Sequence, residues 1–152
     1  MTEKYNSSPG NNPSSLHLFL FSVGGACIGV DADQVSSIEA YDSDDNSLTW
    51  FHEIMNYGVR TVDYIRPAVI TLKTASCLPR RLIVDSIEEI TEIALEEIYP
   101  FPELLEPYLL TYGLWGILIR RNRMIFIMDF NLAASHNKTD DKIILDIEEA
   151  CA

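Results

Sequence analysis

The longest apolar stretch of the chain, Leu18 to Val30 in "LFLFSVGGACIGV", is broken at its middle by Gly24 and Gly25. A membrane-crossing helix needs roughly 20 consecutive apolar residues, so this run is too short and carries the wrong punctuation. Glycine takes positive φ without steric cost, and a glycine pair between apolar runs is a hairpin signal. Before it, Leu16, Leu18 and Leu20 alternate with His17, Phe19 and Phe21, as in a strand covered on both faces. "ACIGVDA" reads as the returning strand. Cys27 lies in this apolar run and is most simply a small buried hydrophobe.

The remaining punctuation also favours short strands. Val35 and Ile38 open an extended piece that ends at the polar turn "DSDDNS". In "LTWFHEIMNYG", Leu48, Phe51, Ile54 and Met55 have helical spacing and Gly58 supplies a stop, which predicts a short helix. "PAVITLK" and "PRRLIVD" are strands by their β-branched content. "WGILIR" and "MIFIMDF" flank "RNR" and read as a second hairpin. Near the end "DDKIILDIEEA" has the pattern of an amphipathic helix capped by Asp140 or Asp141. Short strands joined by turns point to small barrels or a sandwich.

One segment resists a local reading. In "RRLIVDSIEEITEIALEEIYPFPE", Arg80 to Glu103, the apolar residues Ile83, Ile87, Ile90, Ala94 and Ile98 recur at steps of three and four, which favours a helix. Its β-branched content favours a strand, with Asp85-Ser86 as a possible bulge. Both readings stand at this level.

The whole chain has 152 residues, 47% of them hydrophobic, and a formal charge of −12. That length suits one compact domain, or two very small ones sharing a core. The negative charge argues against nucleic acid or an anionic membrane as partner, because both select positive surfaces. It favours solubility and basic protein partners. Residues 1–15, rich in Ser, Asn, Pro and Gly, read as a disordered leader without a signal-peptide core. Cys27, Cys77 and Cys151 are odd in number and far apart. A disulfide framework or zinc site is not expected, and a reducing cytoplasm suits the chain.

Nor do the residues suggest catalysis. Glu88-Glu89 and Glu96-Glu97 could pose as carboxylate pairs, but adjacent strand residues face opposite ways and dense acids usually form a solvated face. A working pair would need a cleft and one raised pKa. His17, His52 and His136 lie in separate segments without ligand spacing; His17 reads as a residue at the core's edge. Ser15, Ser36 and Ser86 lack a nucleophile elbow. "VGGACIG" is followed by a strand, not by the helix of a dinucleotide site. No cofactor or metal is expected. Trp50, Phe51, Tyr57 and Tyr64 read mainly as core aromatics, but an exposed Trp50 or Tyr57 would be a natural interface anchor. "RRNR", Arg120 to Arg123, reads as a charged hairpin tip suited to an acidic partner, including a second copy.

Taken in order, three of these segments resemble the CheW-like domain. "LFLFSVGGACIGVDADQVSSIEAY" has the Phe-rich strand, the glycine turn, the Ile-Gly-Val-Asp return and a Val-x-x-Ile pair at Val35 and Ile38. "LIVDSIEEITEIALEEIYPFPE" is similar to that family's strand ending in Val-Asp (Val84-Asp85), followed by Ile87, Glu89-Ile90 and a Pro-x-Pro exit at Pro100 and Pro102. "LLTYGLWGILIRRNRMIFIMDFNLA" resembles the closing hairpin, with Gly113 or Gly116, then Met124 to Met128, Asp129 and Leu132. The middle segment "LTWFHEIMNYGVRTVDYIRPAVITLK" departs from the family pattern; only Gly58, Arg60 and Arg66-Pro67 are similar to it.

The resemblance implies a mainly β fold, a pair of intertwined five-stranded SH3-like barrels with short helices and a C-terminal helix. It divides the chain into a leader (1–15), a CheW-like domain (16–135) and a polar tail with an amphipathic helix (136–152). The segment 80–103 is then a bent strand with one short helical turn. The implied function is a non-enzymatic cytoplasmic adaptor in chemotaxis-type signalling, without direct membrane insertion and with self-association possible. It would bind a CheA-like histidine kinase, a methyl-accepting receptor, or both, through a barrel groove containing Trp50, Phe51, Tyr57 and Arg60. The alternative is a small-molecule sensor using a barrel interior or the seam between barrels. A carboxylate-dependent hydrolase would require two acids converging in a cleft.

Overall fold

A computed structural model describes residues 14–55, 57, 61–73 and 81–133. The leader through residue 13, Gly58, Arg60, and the tail with its expected helix lie outside the described residues. Strands β1 (Ser15–Val23) and β2 (Ala26–Asp31) form the first hairpin, with Val23 opposite Ala26. Gly24 and Gly25 turn the corner at φ of 61° and 88°, a left-handed conformation that only glycine adopts cheaply. A single 3-10 turn, Ala32–Gln34, leads to β3 (Val35–Ala40). Next come β4 (Thr49–Trp50), the four-residue helix α1 (Phe51–Ile54), β5 (Pro67–Leu72) and β6 (Arg81–Asp85). β7 (Glu89–Ala94), a 3-10 turn at Leu95–Glu97, α2 (Glu106–Leu110), β8 (Leu114–Arg120) and β9 (Arg123–Met128) complete the order.

The strands form two sheets. One has five strands in the order β7-β1-β2-β9-β8, and the other, among the described residues, has four in the order β3-β5-β6-β4. The chain begins in the first sheet, crosses to the second for β3 to β6, and returns for β7 to β9. This exchange intertwines the two halves, and the architecture is the mainly β, two-barrel one that the resemblance implied. A bridge between Tyr99 and Ile117 helps close the first barrel, with Tyr99 N–H donating to Ile117 O and Ile117 N–H to Tyr99 O, each at 2.8 Å.

β1 divides the core. Its odd residues Phe19, Phe21 and Val23 enter a larger cluster with Phe51, Ile70, Leu72, Leu82, Val84 and Phe130. Its even residues Leu18 and Leu20 enter a second cluster with Cys27, Ile93, Leu118, Ile125 and Ile127. Successive side chains on a strand point to opposite faces, so the alternation read from sequence is the physical partition between two cores. Burying each of these large side chains stabilises the fold by roughly 1.5–3 kcal/mol. The second core is filled up to the backbone: a Cβ on Gly29 would lie 3.1 Å from a Leu20 methyl and 3.3 Å from methyls of Ile125 and Leu18.

The segment from Arg81 to Glu103 holds two strands and a single 3-10 turn at Leu95–Glu97, not one long helix. β6 pairs with β5 in the second sheet, while β7 pairs with β1 in the first, Ile93 opposite Leu16. Ser86, at φ 47°, makes the bend where the chain changes sheets. Tertiary pairing thus overrides the helical periodicity.

Three expectations need correction. The helix expected over residues 48–58 spans, among the described residues, only Phe51–Ile54, and it starts late because Thr49 and Trp50 pair in parallel with Leu82 and Ile83. Ser15, placed by composition in the leader, opens β1 opposite Ala94. His17 is exposed rather than at the core's edge, and stands across from exposed Glu92.

Candidate partner-binding surface

β4 delivers Trp50 to the edge of the second sheet, immediately before α1. Its backbone N–H donates to the Glu53 carboxylate at 3.2 Å, which ties the first turn of the helix back to the strand. The indole is half-buried in a group of rings. Tyr64 meets it on edge at 4.7 Å between centroids, Tyr41 lies at 5.5 Å and His52 at 6.3 Å. The Tyr64 hydroxyl accepts the backbone N–H of His52 at 3.2 Å and lies 3.1 Å from His52 Nδ1. Burial pushes the Tyr64 phenol up to about 12, so it stays protonated and available to donate to the imidazole. These groups form an amphipathic aromatic surface with polar edges, the composition that anchors protein interfaces.

Arg81 braces the neighbouring rim. Its guanidinium reaches Glu39 on β3 at 2.9 Å and Asp45 at 2.7 Å. Asp45 also accepts the backbone N–H and the hydroxyl of Ser47 at 2.9 and 2.6 Å. Hydrogen bonds from Ser47, then from Arg81, hold the Asp45 carboxyl down at about 2. The polar turn 42–47, read from sequence only as punctuation, is therefore a fixed loop.

The residues expected to bind a partner occupy different environments. Trp50 is half-buried within the ring group. Phe51 is 0% exposed, its ring on edge to Phe21 at 5.2 Å; it supports the surface from the core and does not reach it. Tyr57 is half-buried and donates its hydroxyl to Val23 O at 2.9 Å, beside the first hairpin. Arg60 lies outside the described residues. Tyr41 and His52 were not singled out for this surface, because nothing local marks them; the fold brings residues 41, 50, 52 and 64 together.

One member of each acid pair, Glu88 and Glu97, is held in an ion pair with an arginine. Glu88 accepts two bonds from Arg123, each 2.9 Å, and the Ser22 hydroxyl at 3.1 Å. Arg123 holds its carboxyl below the usual range. Glu97 accepts the Ala94 N–H at 3.0 Å and Arg120 at 3.2 Å, and these bonds likewise lower its pKa. A general acid needs the opposite shift. Arg120 and Arg123 are therefore engaged within the protein. Arg121 and Asn122 form the tip of the hairpin at φ of 51° and 62°. Among the described residues, no group of three or more His, Cys, Asp or Glu could hold a metal ion.

A recess of about 190 Å³ lies at one end of the first barrel, lined by Leu16, Asp31, Gln34, Leu95, Trp115 and Asp129 among others. Gln34 donates to Asp129 at 2.8 Å, and its own carbonyl accepts the Phe130 N–H at 2.9 Å. Its polar groups thus tie the β2–β3 turn to the end of β9. Ligand sites typically exceed about 300 Å³; a larger, more open hollow of about 430 Å³ beside the first hairpin is lined by Ser22, Cys27, Arg123 and Phe126 among others.

The two sheets, the strand exchange between them and the divided core define a divergent CheW-like fold. Its structure is similar to the crystal structure of the scaffolding protein TtCheW from Thermoanaerobacter tengcongensis, with a TM-score of 0.53 over 74% of this chain and 88% of that one. The two sequences are 16% identical, so the likeness lies in the fold. No protein-family model matches the sequence, and no curated protein matches it. Among the described residues, no helix is long and apolar enough to cross a membrane.

Proposed function

We propose that the protein is a non-enzymatic cytoplasmic adaptor of CheW type. It couples a signalling histidine kinase, a methyl-accepting receptor, or both, by holding them in one assembly. The observation that carries this reading is the shared fold with a scaffolding protein over 88% of that protein's chain. Two further features support it. The engaged carboxylates are held ionised rather than poised to donate protons, and the half-buried aromatics at the edge of the second sheet suit a protein contact. A ligand site inside the first barrel is disfavoured, because that interior is filled by Leu18, Leu20, Leu118, Ile125 and Ile127.

The test is affinity capture from the native cytoplasm with folded, monodisperse tagged protein, followed by mass spectrometry. Enrichment of a histidine kinase or a methyl-accepting receptor over a tag-only control supports the reading. Recovery of neither overturns the coupling role.

A further inference from the structure

The connection between β7 and β8 carries an apolar ridge that is exposed among the described residues. Among the described residues, Leu104 is 89% exposed, Leu105 51% and Tyr108 55%. Spacings of three and four place such residues side by side on a helical turn. Tyr99, 61% exposed, lies on the same connection, where its bridge to β8 fixes it. The opposite side of α2 is anchored, since Leu109 and Tyr112 pack on the main core. The ridge is also preorganised. Pro100, Pro102 and Pro107 restrict the backbone, and Pro102 O accepts the N–H groups of both Leu105 and Glu106 at 3.0 Å. A surface already held in shape loses less entropy on binding.

Charge selects the occupant. From Leu82 to Ile119 the sequence has eight Asp or Glu and no Lys, Arg or His. Asp85, Glu88 and Glu97 are engaged internally, while Glu89, Glu92, Glu96 and Glu103 are exposed. An apolar ridge flanked in sequence by Glu103 and Glu106, on a chain of net charge −12, fits an apolar segment flanked by positive charge. The chain's own residues 134–152 follow Ala133, which packs against Gly113 just past α2. They carry Asp140, Asp141, Asp146, Glu148 and Glu149 against Lys138 and Lys142, and so share the ridge's sign. A second copy, at −12, has the same disadvantage.

We propose that Leu104, Leu105 and Tyr108 form a docking ridge for a basic amphipathic segment of a partner protein. This inference does not rest on the kinase or receptor assignment, and its failure would leave that assignment untouched.

The experiment is a titration of the full chain with a synthetic amphipathic peptide of Leu and Lys, against a control peptide with Glu in place of Lys, followed by ¹H–¹⁵N NMR. The Leu/Lys peptide is expected to shift residues 99–112 selectively. Its affinity should fall about tenfold in the Leu104→Ser/Tyr108→Ser double variant and about threefold in Glu103→Gln/Glu106→Gln. Leu104→Ser alone, at an 89% exposed position, guards against loss of folding and should fall about threefold as well. Equal binding by all variants, equal binding of the Glu peptide, or shifts centred elsewhere would overturn the proposal. So would a wild-type dimer that Leu104→Ser converts to monomer in sedimentation, or Leu104-dependent binding to neutral phosphatidylcholine vesicles.

Discussion

The Asp85 carboxylate accepts the backbone N–H of Ile65 at 2.9 Å. It also accepts the N–H of the next residue, Arg66, while Ser86 N–H donates to Arg66 O at 3.2 Å. Asp85 is 4% exposed and is the one buried charged residue among those described. It sits at the end of β6, opposite Pro67 at the start of β5, where the chain leaves the second sheet for the first. The Val84-Asp85 pair of the sequence signature is thus a latch. Val84 fills the core, and Asp85 satisfies two N–H groups that the strand ladder does not reach.

Asp85→Ala should therefore destabilise the protein by about 2–3 kcal/mol, since it leaves backbone donors without their charged acceptor. Asp85→Asn keeps one acceptor oxygen and should lose less. Urea unfolding at neutral pH measures both, and an Asp85→Ala midpoint equal to wild type would disprove the latch.

Glycine positions should rank by what a methyl would meet. At Gly113, φ is 83° and a Cβ would lie 2.6 Å from Asp129 O, a backbone atom that cannot move aside. At Gly29 the nearest neighbours are side-chain methyls at 3.1–3.3 Å, which can give slightly. Gly113→Ala should cost more than Gly29→Ala, with overpacking costs of about 1–3 kcal/mol as the scale. Thermal unfolding of the two variants checks the order.

Trp50→Ala removes the centre of the ring group at the sheet edge. If that surface binds the partner, affinity for a captured kinase or receptor should fall by about tenfold or more, as at interface hot spots. Far-UV circular dichroism should remain that of a folded β protein. Unchanged affinity in calorimetry would place the contact elsewhere.

Acid should weaken the loop that Arg81 braces. The Asp45 carboxyl titrates at about 2 in the fold against an ordinary 3.8. A depressed folded pKa means that the unfolded chain takes up the proton first. The contribution is therefore fully present above about pH 4 and is lost as pH falls towards 2. Asp45→Asn should be less stable than wild type at pH 5, and the gap should narrow as pH falls to 2 and close below it. A gap independent of pH in urea titrations would exclude this origin.

Cys27 should be a poor nucleophile. Burial raises its thiol pKa, against the lowering effect of Arg123, whose guanidinium donates to Sγ at 2.8 Å. In a Cys77→Ser/Cys151→Ser background, Ellman's reagent should modify Cys27 slowly in the native protein and rapidly in denaturant. Rapid labelling of the folded protein would show that the site is open.

Much of the fold could be read locally. The glycine pair fixed the first hairpin, because positive φ at two successive positions is a property of the residues themselves. The alternation from Leu16 to Phe21 announced a strand covered on both faces, and β-branched runs located β5, β6, β8 and β9. These features depend on neighbours one or two positions away. The bend at Ser86 does not: residues 80–103 satisfy helical spacing as well as strand content, and only pairing with β5 on one side and β1 on the other decides between them. The candidate surface is similarly non-local. Trp50 was visible as a large aromatic, but its half-burial and its partners Tyr41, His52 and Tyr64 arise when the second sheet gathers distant segments. Phe51 shows the converse. It shares its neighbour's aromatic character, yet one step along the chain turns its ring into the core against Phe21, a direction set by packing.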